Sequence, residues 1–283
     1  MQVKPGGIYV DVTFGGGGHS RALLEIMSEG RLIAFDKDPD AKANTIDDER
    51  FTLISQDFRF MRNHLRMIGV EEVDGLLADL GVSSHQFDEA ERGFSIRNEG
   101  PLDMRMDERS PKSAAQLIEE IDESELADIF FQYGDLRNAR RIAREVVARR
   151  EEEPVKTTKD LIECVGSLAQ RGKENQFLAR VFQSLRIAVN DELGALKTLL
   201  EQSVKILKPG GRLVVISYHS LEDRLVKNFI RAGNWNGHIE KDIYGHADLP
   251  FKQITRKPII PSEEEIKKNE RARSAKLRIA EKC

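Results

Sequence analysis

The stretch Gly7-Ile8-Tyr9-Val10-Asp11-Val12-Thr13-Phe14-Gly15-Gly16-Gly17-Gly18-His19-Ser20 constrains the fold more than any other part of this chain. A short apolar run breaks into consecutive glycines and a helical pattern follows. That order predicts a strand, a tight turn and a helix start, the layout of a nucleotide-binding βα unit. Glycine suits such a turn because it reaches positive φ at little cost, and because backbone N–H groups can approach a ligand that a Cβ would push away. Arg31-Leu32-Ile33-Ala34-Phe35 reads as the next strand and ends in Asp36. An acidic residue at the tip of a second strand is placed to accept bonds from ribose hydroxyls. No Lys-Ser/Thr follows the glycines, so the turn is not a P-loop, and its contiguous glycines depart from G-x-G-x-x-G. Turns of this kind serve NAD, FAD and S-adenosylmethionine (SAM) enzymes alike, and some are purely structural. Asp11, at the end of the first strand, would repel a pyrophosphate but not the cationic sulfonium and ammonium of SAM. Asp11 is therefore read as a cofactor-side carboxylate.

Residues 8–12, 32–35, 51–55 and 73–80 read as buried parallel strands separated by helical patterns, which predicts a doubly wound α/β sheet. The rhythm then changes. From about residue 113 the chain is helical and highly charged, with helices expected over 114–121, 123–133, 136–150 and 158–168. Ser124 and Thr157 or Thr158 are the expected caps. One long amphipathic helix is expected over 182–207, stopped by Lys208-Pro209-Gly210-Gly211, with a strand over 212–217. The expected organisation is one α/β domain, residues 1–112 and 183–283, interrupted by a helical insertion over 113–182. A final helical run is expected over 262–282.

Three further strand ends carry chemistry. Gln56-Asp57-Phe58 follows the third strand, where an Asp can accept from an adenine amino group and an aromatic can cover its face; a solvated carboxylate beside a core Phe explains the residues equally well. Asp79-Leu80-Gly81-Val82-Ser83-Ser84-His85-Gln86 ends the fourth strand, and the carboxyl ends of strands are where α/β sheets bind ligands. Ser217-Tyr218-His219-Ser220-Leu221-Glu222-Asp223 closes the fifth, with His219 as a substrate contact or a satisfied structural residue. Ser220 reads as the cap of the following helix, with Asp223 as its partner. Asp36-Lys37-Asp38-Pro39-Asp40 opens like a calcium loop, but Ala41 stands where glycine is needed and the loop follows a strand. Cys164 and Cys283 offer no metal-ligand spacing and no disulfide framework, so no metal is expected and a reducing cytoplasm is.

The net charge of −4 argues against a globally positive, polyanion-binding field, so any such contact must rest on local patches. One basic cluster is Arg137, Arg140, Arg141, Arg144, Arg149 and Arg150, several of them on one helix face. The other is Lys252, Arg256 and Lys257, then Lys267, Lys268, Arg271, Arg273, Lys276 and Arg278. Either could be a solvated helix surface with i,i+4 pairs to Glu145 and Glu264, but the second is denser and has few balancing acids after Glu270, so phosphate contact is the better reading for it. No apolar run reaches the length of about 18 residues needed to span a membrane.

These blocks resemble the RsmH (MraW) family of bacterial enzymes that methylate N4 of a cytidine in 16S ribosomal RNA. The resemblance runs over nearly the whole chain. It rests on Tyr9-Val10-Asp11 with the loop to Ser20, on Asp79-Leu80-Gly81-Val82-Ser83-Ser84, on Glu91-Arg92-Gly93-Phe94-Ser95 and on Gly100-Pro101-Leu102-Asp103-Met104-Arg105-Met106-Asp107. It continues in Tyr133-Gly134-Asp135, in Arg180-Val181-Phe182-Gln183 through Leu193, in His219-Ser220-Leu221-Glu222-Asp223-Arg224 and in the tail from Arg271 to Arg278. His85 and Glu270 stand where the family commonly has proline. The resemblance implies a class I SAM-dependent methyltransferase fold, Rossmann-like, with an inserted helical substrate-recognition domain. It implies SAM contacts at Gly17, Gly18, His19, Asp36, Phe58, Asp79 and Gln86, and a partner in the 16S ribosomal RNA of the small subunit, with basic contacts at Arg271, Arg273, Lys276 and Arg278.

An exocyclic amine is a poor nucleophile because its lone pair is delocalised into the ring. A site helps by aligning it and by accepting its N–H bonds. Asp79 is the expected acceptor, with Ser83, Ser84 or His219 assisting. Neither cysteine lies in a motif, which argues against C5 methylation of cytosine. The rival readings are a SAM enzyme acting on protein or a small molecule, which the basic tail disfavours; an NAD(P)-dependent oxidoreductase, which Asp11 disfavours; and an RNA-binding protein without catalysis, which Asp36 and Asp79 disfavour.

Overall fold

The computed structural model describes residues 1–283, which form two compact units: Met1–Gly81 with Leu193–Cys283, and Val82–Glu192. The first unit is an α/β sheet. Its strands are β1 (Ile8–Asp11), β2 (Arg31–Phe35), β3 (Phe51–Ile54), β4 (Val73–Asp79), β5 (Leu207–Ser217), β6 (Phe251–Gln253) and β7 (Lys276–Lys282), in the spatial order β3-β2-β1-β4-β5-β7-β6. The first five are parallel; β7 runs antiparallel to β5, and β6 antiparallel to β7. The helices of this unit are α1 (Gly18–Ile26) and α2 (Met61–Met67) and, after the second unit, those over Glu192–Ile206, Ser220–Ala232 and Glu263–Lys268.

The strands are apolar at consecutive positions because both faces of the sheet are buried. Val10, Ile33, Phe35, Leu76, Ala78, Leu213 and Val215 point to one face, where they meet Met61 and Leu65 of α2 and Leu196, Leu199, Val226 and Phe229 of the later helices. The alternate positions, Tyr9, Leu32, Ala34, Leu77 and Val214, point to the other and meet Leu23 and Leu24 of α1. The strand order reverses at β1 and β4, so a crevice opens beyond their carboxyl ends, the position where open α/β sheets bind ligands. This is the expected class I methyltransferase fold. Four of the five expected strands end within a residue of their predicted bounds. The fifth starts earlier, at Leu207, but Lys208-Pro209-Gly210-Gly211 loops out between the Val73↔Leu207 and Gly75↔Arg212 pairs, so regular pairing begins at Arg212.

The second unit is helical: α3 (Ser84–Asp88), α4 (Ala114–Glu120), α5 (Glu123–Gly134), α6 (Ala139–Glu152), α7 (Thr158–Val165) and α8 (Glu174–Asn190). The helices after it are accordingly α9 (Glu192–Ile206), α10 (Ser220–Ala232) and α11 (Glu263–Lys268). The expected boundaries at 113 and 182 are corrected to 82 and 192. Residues 82–112 look like loop by periodicity, but Phe94, Leu102, Met104 and Met106 are buried with Leu126, Phe130, Ile142 and Phe182. Backbone bonds stitch the segment down: Leu102 N–H donates to Lys156 O, and Thr158 N–H to Gly100 O. Buried Asn190 accepts from Met106 N–H and donates to Met104 O, which ties α8 to the same segment.

Three other expectations change. The long helix over 182–207 is two helices, because Asp191 adopts φ +46°, a left-handed conformation that Asp tolerates better than most residues. The run over 262–282 is helical only in its first half, as α11 and a 3-10 turn over Glu270–Ser274; residues 276–282 instead form β7, where Ala280 joins the sheet core. Thr157 caps α7 with Asp160 as its box partner, but Asp122, not Ser124, precedes α5. No helix is long and apolar enough to cross a membrane.

Candidate functional site

The glycine turn sits at the carboxyl end of β1. Gly15 and Gly17 have φ of +49° and +74°, so the sequence needs glycine there. Gly17 is the N-cap of α1, and no side chain bonds the helix's first N–H groups. A Cβ on Gly16 or Gly18 would meet open space. The turn is held from beneath. Phe14 N–H donates to Phe35 O, Arg21 Nη1 donates to Gly16 O and Asn44 Nδ2 to Gly15 O. Uncapped N–H groups at a helix start, under an open glycine surface, suit an anionic group such as a carboxylate.

Asp11 does not face that surface. It is 1% exposed; its Oδ2 accepts from Ser20 Oγ at 2.7 Å and its Oδ1 from Thr13 N–H at 3.1 Å. Burial raises its pKa and these bonds oppose the rise. The expectation that Asp11 meets the cofactor is corrected: Ser20, in the first turn of α1, draws the carboxylate inward, where it braces the turn.

Asp36 lies across from the turn at the end of β2. Its Oδ2 accepts from Gly15 N–H at 2.7 Å and its Oδ1 from Asp38 N–H at 2.8 Å. Burial lifts its carboxyl to about 6 despite those two bonds. Each oxygen keeps a second lone pair, so the group can still accept from two ligand hydroxyls. Phe58 is half-buried at the end of β3, with its backbone fixed by Gln202 Nε2, which donates to Phe58 O and Arg59 O. Asp57 caps that turn by accepting from Arg59 N–H, so it reads as structural and not as an adenine partner.

Asp79 closes β4 and is the centre of a small network. Its N–H donates to Thr13 Oγ1 at 2.6 Å, which ties it to the glycine turn. Tyr218 Oη donates to Asp79 Oδ1 at 2.9 Å, and His19 Nε2 lies 3.3 Å from Oδ2. The bond to Asp79 raises the His19 pKa, and burial, ahead of the Asp79 charge, raises that of the Tyr218 phenol. Tyr218 thus remains a protonated donor across the working pH range. The sequence motif singles out its neighbour His219 and gives Tyr218 no role. The available signal was register: Asp79 pairs with Ile216, so the residues just past each partner emerge together at the sheet edge.

His219 is the N-cap of α10. Its Nδ1 accepts from Glu222 N–H at 3.4 Å, and Glu222 Oε2 accepts from Tyr218 N–H at 3.0 Å. Its Nε2 is buried without a hydrogen bond, 3.3 Å from Glu222 Oε1 but misaligned. The expected cap, Ser220 with Asp223, is corrected to His219 with Glu222. The box fixes the Tyr218 backbone. In the second unit Ser83 caps α3: its Oγ accepts from Gln86 N–H, and Gln86 Oε1 accepts from Ser83 N–H. Ser84 is exposed in the first turn of that helix. The structure thus brings Gly17, Gly18, His19, Asp36, Phe58 and Asp79 to one edge of the first unit and gives Ser83, Gln86 and His219 capping roles.

The end of the basic tail is partly tied into the fold, while Lys252, Arg256, Lys257, Lys267 and Lys268 are exposed. Arg278 is buried in β7, its Nε 2.6 Å from Asp223 Oδ1, and Lys276 Nζ lies 3.4 Å from the other oxygen. Arg273 is exposed and paired with Glu270, and Arg271 is exposed. Phosphate contact by Arg278 is corrected: it is half of a structural ion pair.

The family model described as the MraW methylase family matches residues 1–283. Relatives named "Ribosomal RNA small subunit methyltransferase H" include one from Flavobacterium johnsoniae, 54% identical over 283 residues, covering all of this chain and 93% of the relative. Another, from Christiangramia forsetii, is 53% identical with the same coverage of both chains. A third, from Cytophaga hutchinsonii, is 54% identical over 284 residues, covering all of this chain and 95% of the relative.

Proposed function

This chain belongs to the MraW methylase family and is a SAM-dependent ribosomal RNA methyltransferase, and we propose that it methylates the N4 amine of a cytidine in the 16S ribosomal RNA of the small subunit, in the cytoplasm. The observation that carries this reading is Asp79, an acceptor tied to the glycine turn and presented at the ligand-binding edge of the sheet. SAM, when bound, supplies the electrophilic methyl group. The residues fit it: the uncapped start of α1 offers N–H groups to its carboxylate, Asp36 accepts from its ribose hydroxyls, and Phe58 offers a face to its adenine.

Asp79 accepts an N–H of the incoming amine. That contact turns the nitrogen lone pair toward the methyl carbon and opposes the positive charge that grows on nitrogen. Tyr218 and His19 hold the two carboxylate oxygens, and each oxygen has a lone pair in reserve for the amine. Ser83 and Gln86 act by shaping the start of α3, and His219 by fixing Tyr218. Ser84 is proposed as an assisting hydroxyl on the motif alone. The base must leave any stack to reach such a pocket. Arg271 and Arg273 remain proposed phosphate contacts, with Lys276 secondary to its pairing. The test is methyl transfer from labelled SAM to small subunits lacking the modification, with the product nucleoside identified by mass spectrometry. N4-methylcytidine is expected; a label on any other atom, or on protein, overturns the reading.

A further inference from the structure

The sequence favours phosphate contact for the tail and leaves the α6 arginines undecided, and the fold adds grounds for the second cluster. In the tail, Arg278 and Lys276 are held by Asp223 and Arg273 pairs at the surface with Glu270, while Lys252, Arg256, Lys257, Lys267 and Lys268 stay exposed and are mostly lysine. On α6 the arginines sort into two groups. Those at its carboxyl end serve the fold: Arg149 pairs with Glu153, and Arg150 donates to the carbonyls of Ile118 and Ile121. Arg140, Arg141 and Arg144, with Arg137 in the turn before the helix, are exposed and lie in no ion pair.

At 100° per residue, Arg140, Arg141 and Arg144 fall within an arc of about 100°. The buried Ile142, Ala143 and Val146 occupy the opposite side. The stripe works against its own helix. It stands at the positive end of the helix dipole, where cations are unfavourable, and the first turn holds no acid to offset it. Arg140 and Arg144 are like charges at i,i+4 spacing, which also destabilises a helix. One exposed acid, Glu145, stands beside the stripe, at i+4 from Arg141. All four residues are arginine, whose planar fork matches phosphate geometry better than lysine does.

We propose that this face of α6 contacts the phosphate backbone of the RNA substrate, an assignment that rests on the RNA-methylating reading above. The probe is unmodified small-subunit ribosomal RNA transcript, bound by the full chain at salt concentrations from about 50 to 200 mM. Replacing Arg140, Arg141 and Arg144 together by alanine removes up to three phosphate contacts. The slope of log affinity against log salt should then become shallower by about 2, at about 0.7 per contact on single-stranded RNA. SAM affinity by calorimetry should not change, and the melting temperature should not fall and should rise slightly, since none of the three side chains packs in the core and their removal relieves the unfavourable dipole and like-charge terms. The triple lysine variant should keep the wild-type slope. If the alanine variant proves unstable, Arg144→Ala alone should lower the slope by about 0.7. An alanine variant with the wild-type slope overturns the proposal, as does a lysine variant whose slope falls with the alanine one, or loss of binding to phosphatidylglycerol vesicles in place of RNA. Methylation of small subunits by the wild type separates the two claims. With methylation intact and the slope unmoved, only the α6 assignment falls. Without methylation but with the slope moved, only the enzymatic reading falls.

Discussion

Acidification should weaken SAM binding, and Asp36 should be the reason. Its carboxyl titrates at about 6 in the free protein because burial disfavours the charge more than two backbone N–H bonds favour it. A ribose diol donates to the ionised form, so binding should pull the pKa down and release a proton in this range. With bound-state ionisation complete, the dissociation constant at about pH 5 exceeds that at about pH 7.5 by a factor near ~10, or about 1.4 kcal/mol. The stability effect has the opposite sense. The folded pKa is raised above the unfolded value of 3.8. Stability contributed by Asp36 is therefore present below about pH 4 and falls as pH rises toward about 6, reaching a cost of at most about 3 kcal/mol at neutral pH. Asp36→Ala removes that cost but leaves the Gly15 and Asp38 N–H groups without an acceptor, at about 1–3 kcal/mol each, so its melting temperature should shift little while its SAM affinity falls. Calorimetry in buffers of different ionisation enthalpy measures both the affinity and the released proton. His19 also titrates above its ordinary value beside Asp79, so the pH series is repeated on His19→Gln. A wild-type affinity that is flat over this range, or an Asp36→Ala variant that binds SAM as tightly as wild type, would refute the reasoning.

Asp79→Asn keeps the shape but loses the charge, so single-turnover rate should fall on the order of 10²-fold or more with a smaller change in SAM affinity; equal losses would make Asp79 a cofactor ligand only. Tyr218→Phe should lower the same rate roughly tenfold and leave SAM affinity near the wild-type value, because it frees one Asp79 oxygen from its anchor without touching the glycine turn. Arg278→Ala should behave as a stability mutant, with a loss approaching 3–5 kcal/mol (roughly the upper range for breaking a buried pair) and a melting drop on the order of 10 °C, while its RNA salt slope stays at the wild-type value. The Asp223 pKa is depressed, burial opposing its bonds and charges from Arg278 and Lys276. The stability it contributes is thus present above the unfolded value of 3.8 and is lost as pH falls through the folded one; in Arg278→Ala that acid-side loss should shrink.

What the sequence disclosed and what it concealed divide along one physical line. Strand positions and the glycine turn were legible because local rules produce them. Apolar runs bounded by turn residues make buried strands, and only glycine takes φ of +74° at an open helix start without strain. Segment 82–112 was illegible because it has no period; it is ordered by long-range bonds such as Asn190 to Met104 and Met106, which no local window contains. The polar side chains fared according to the same rule. Asp36 was legible as a strand-tip acid because the βα unit alone fixes its place. The inward turn of Asp11 is not legible locally because the hydroxyl that claims it belongs to the next helix. Tyr218 is not legible locally because its importance comes from Asp79, on a strand distant in sequence but adjacent in the sheet. Charge counting failed most clearly for that reason. Lys276 and Arg278, the end of the densest basic run, lie within reach of Asp223 once β7 pairs with β5, whereas the arginines of α6 sit opposite an apolar face that fixes their outward direction. Composition measures how many cations a segment carries. Only the fold decides how many of them already have a carboxylate, and it is the remainder that a phosphate can use.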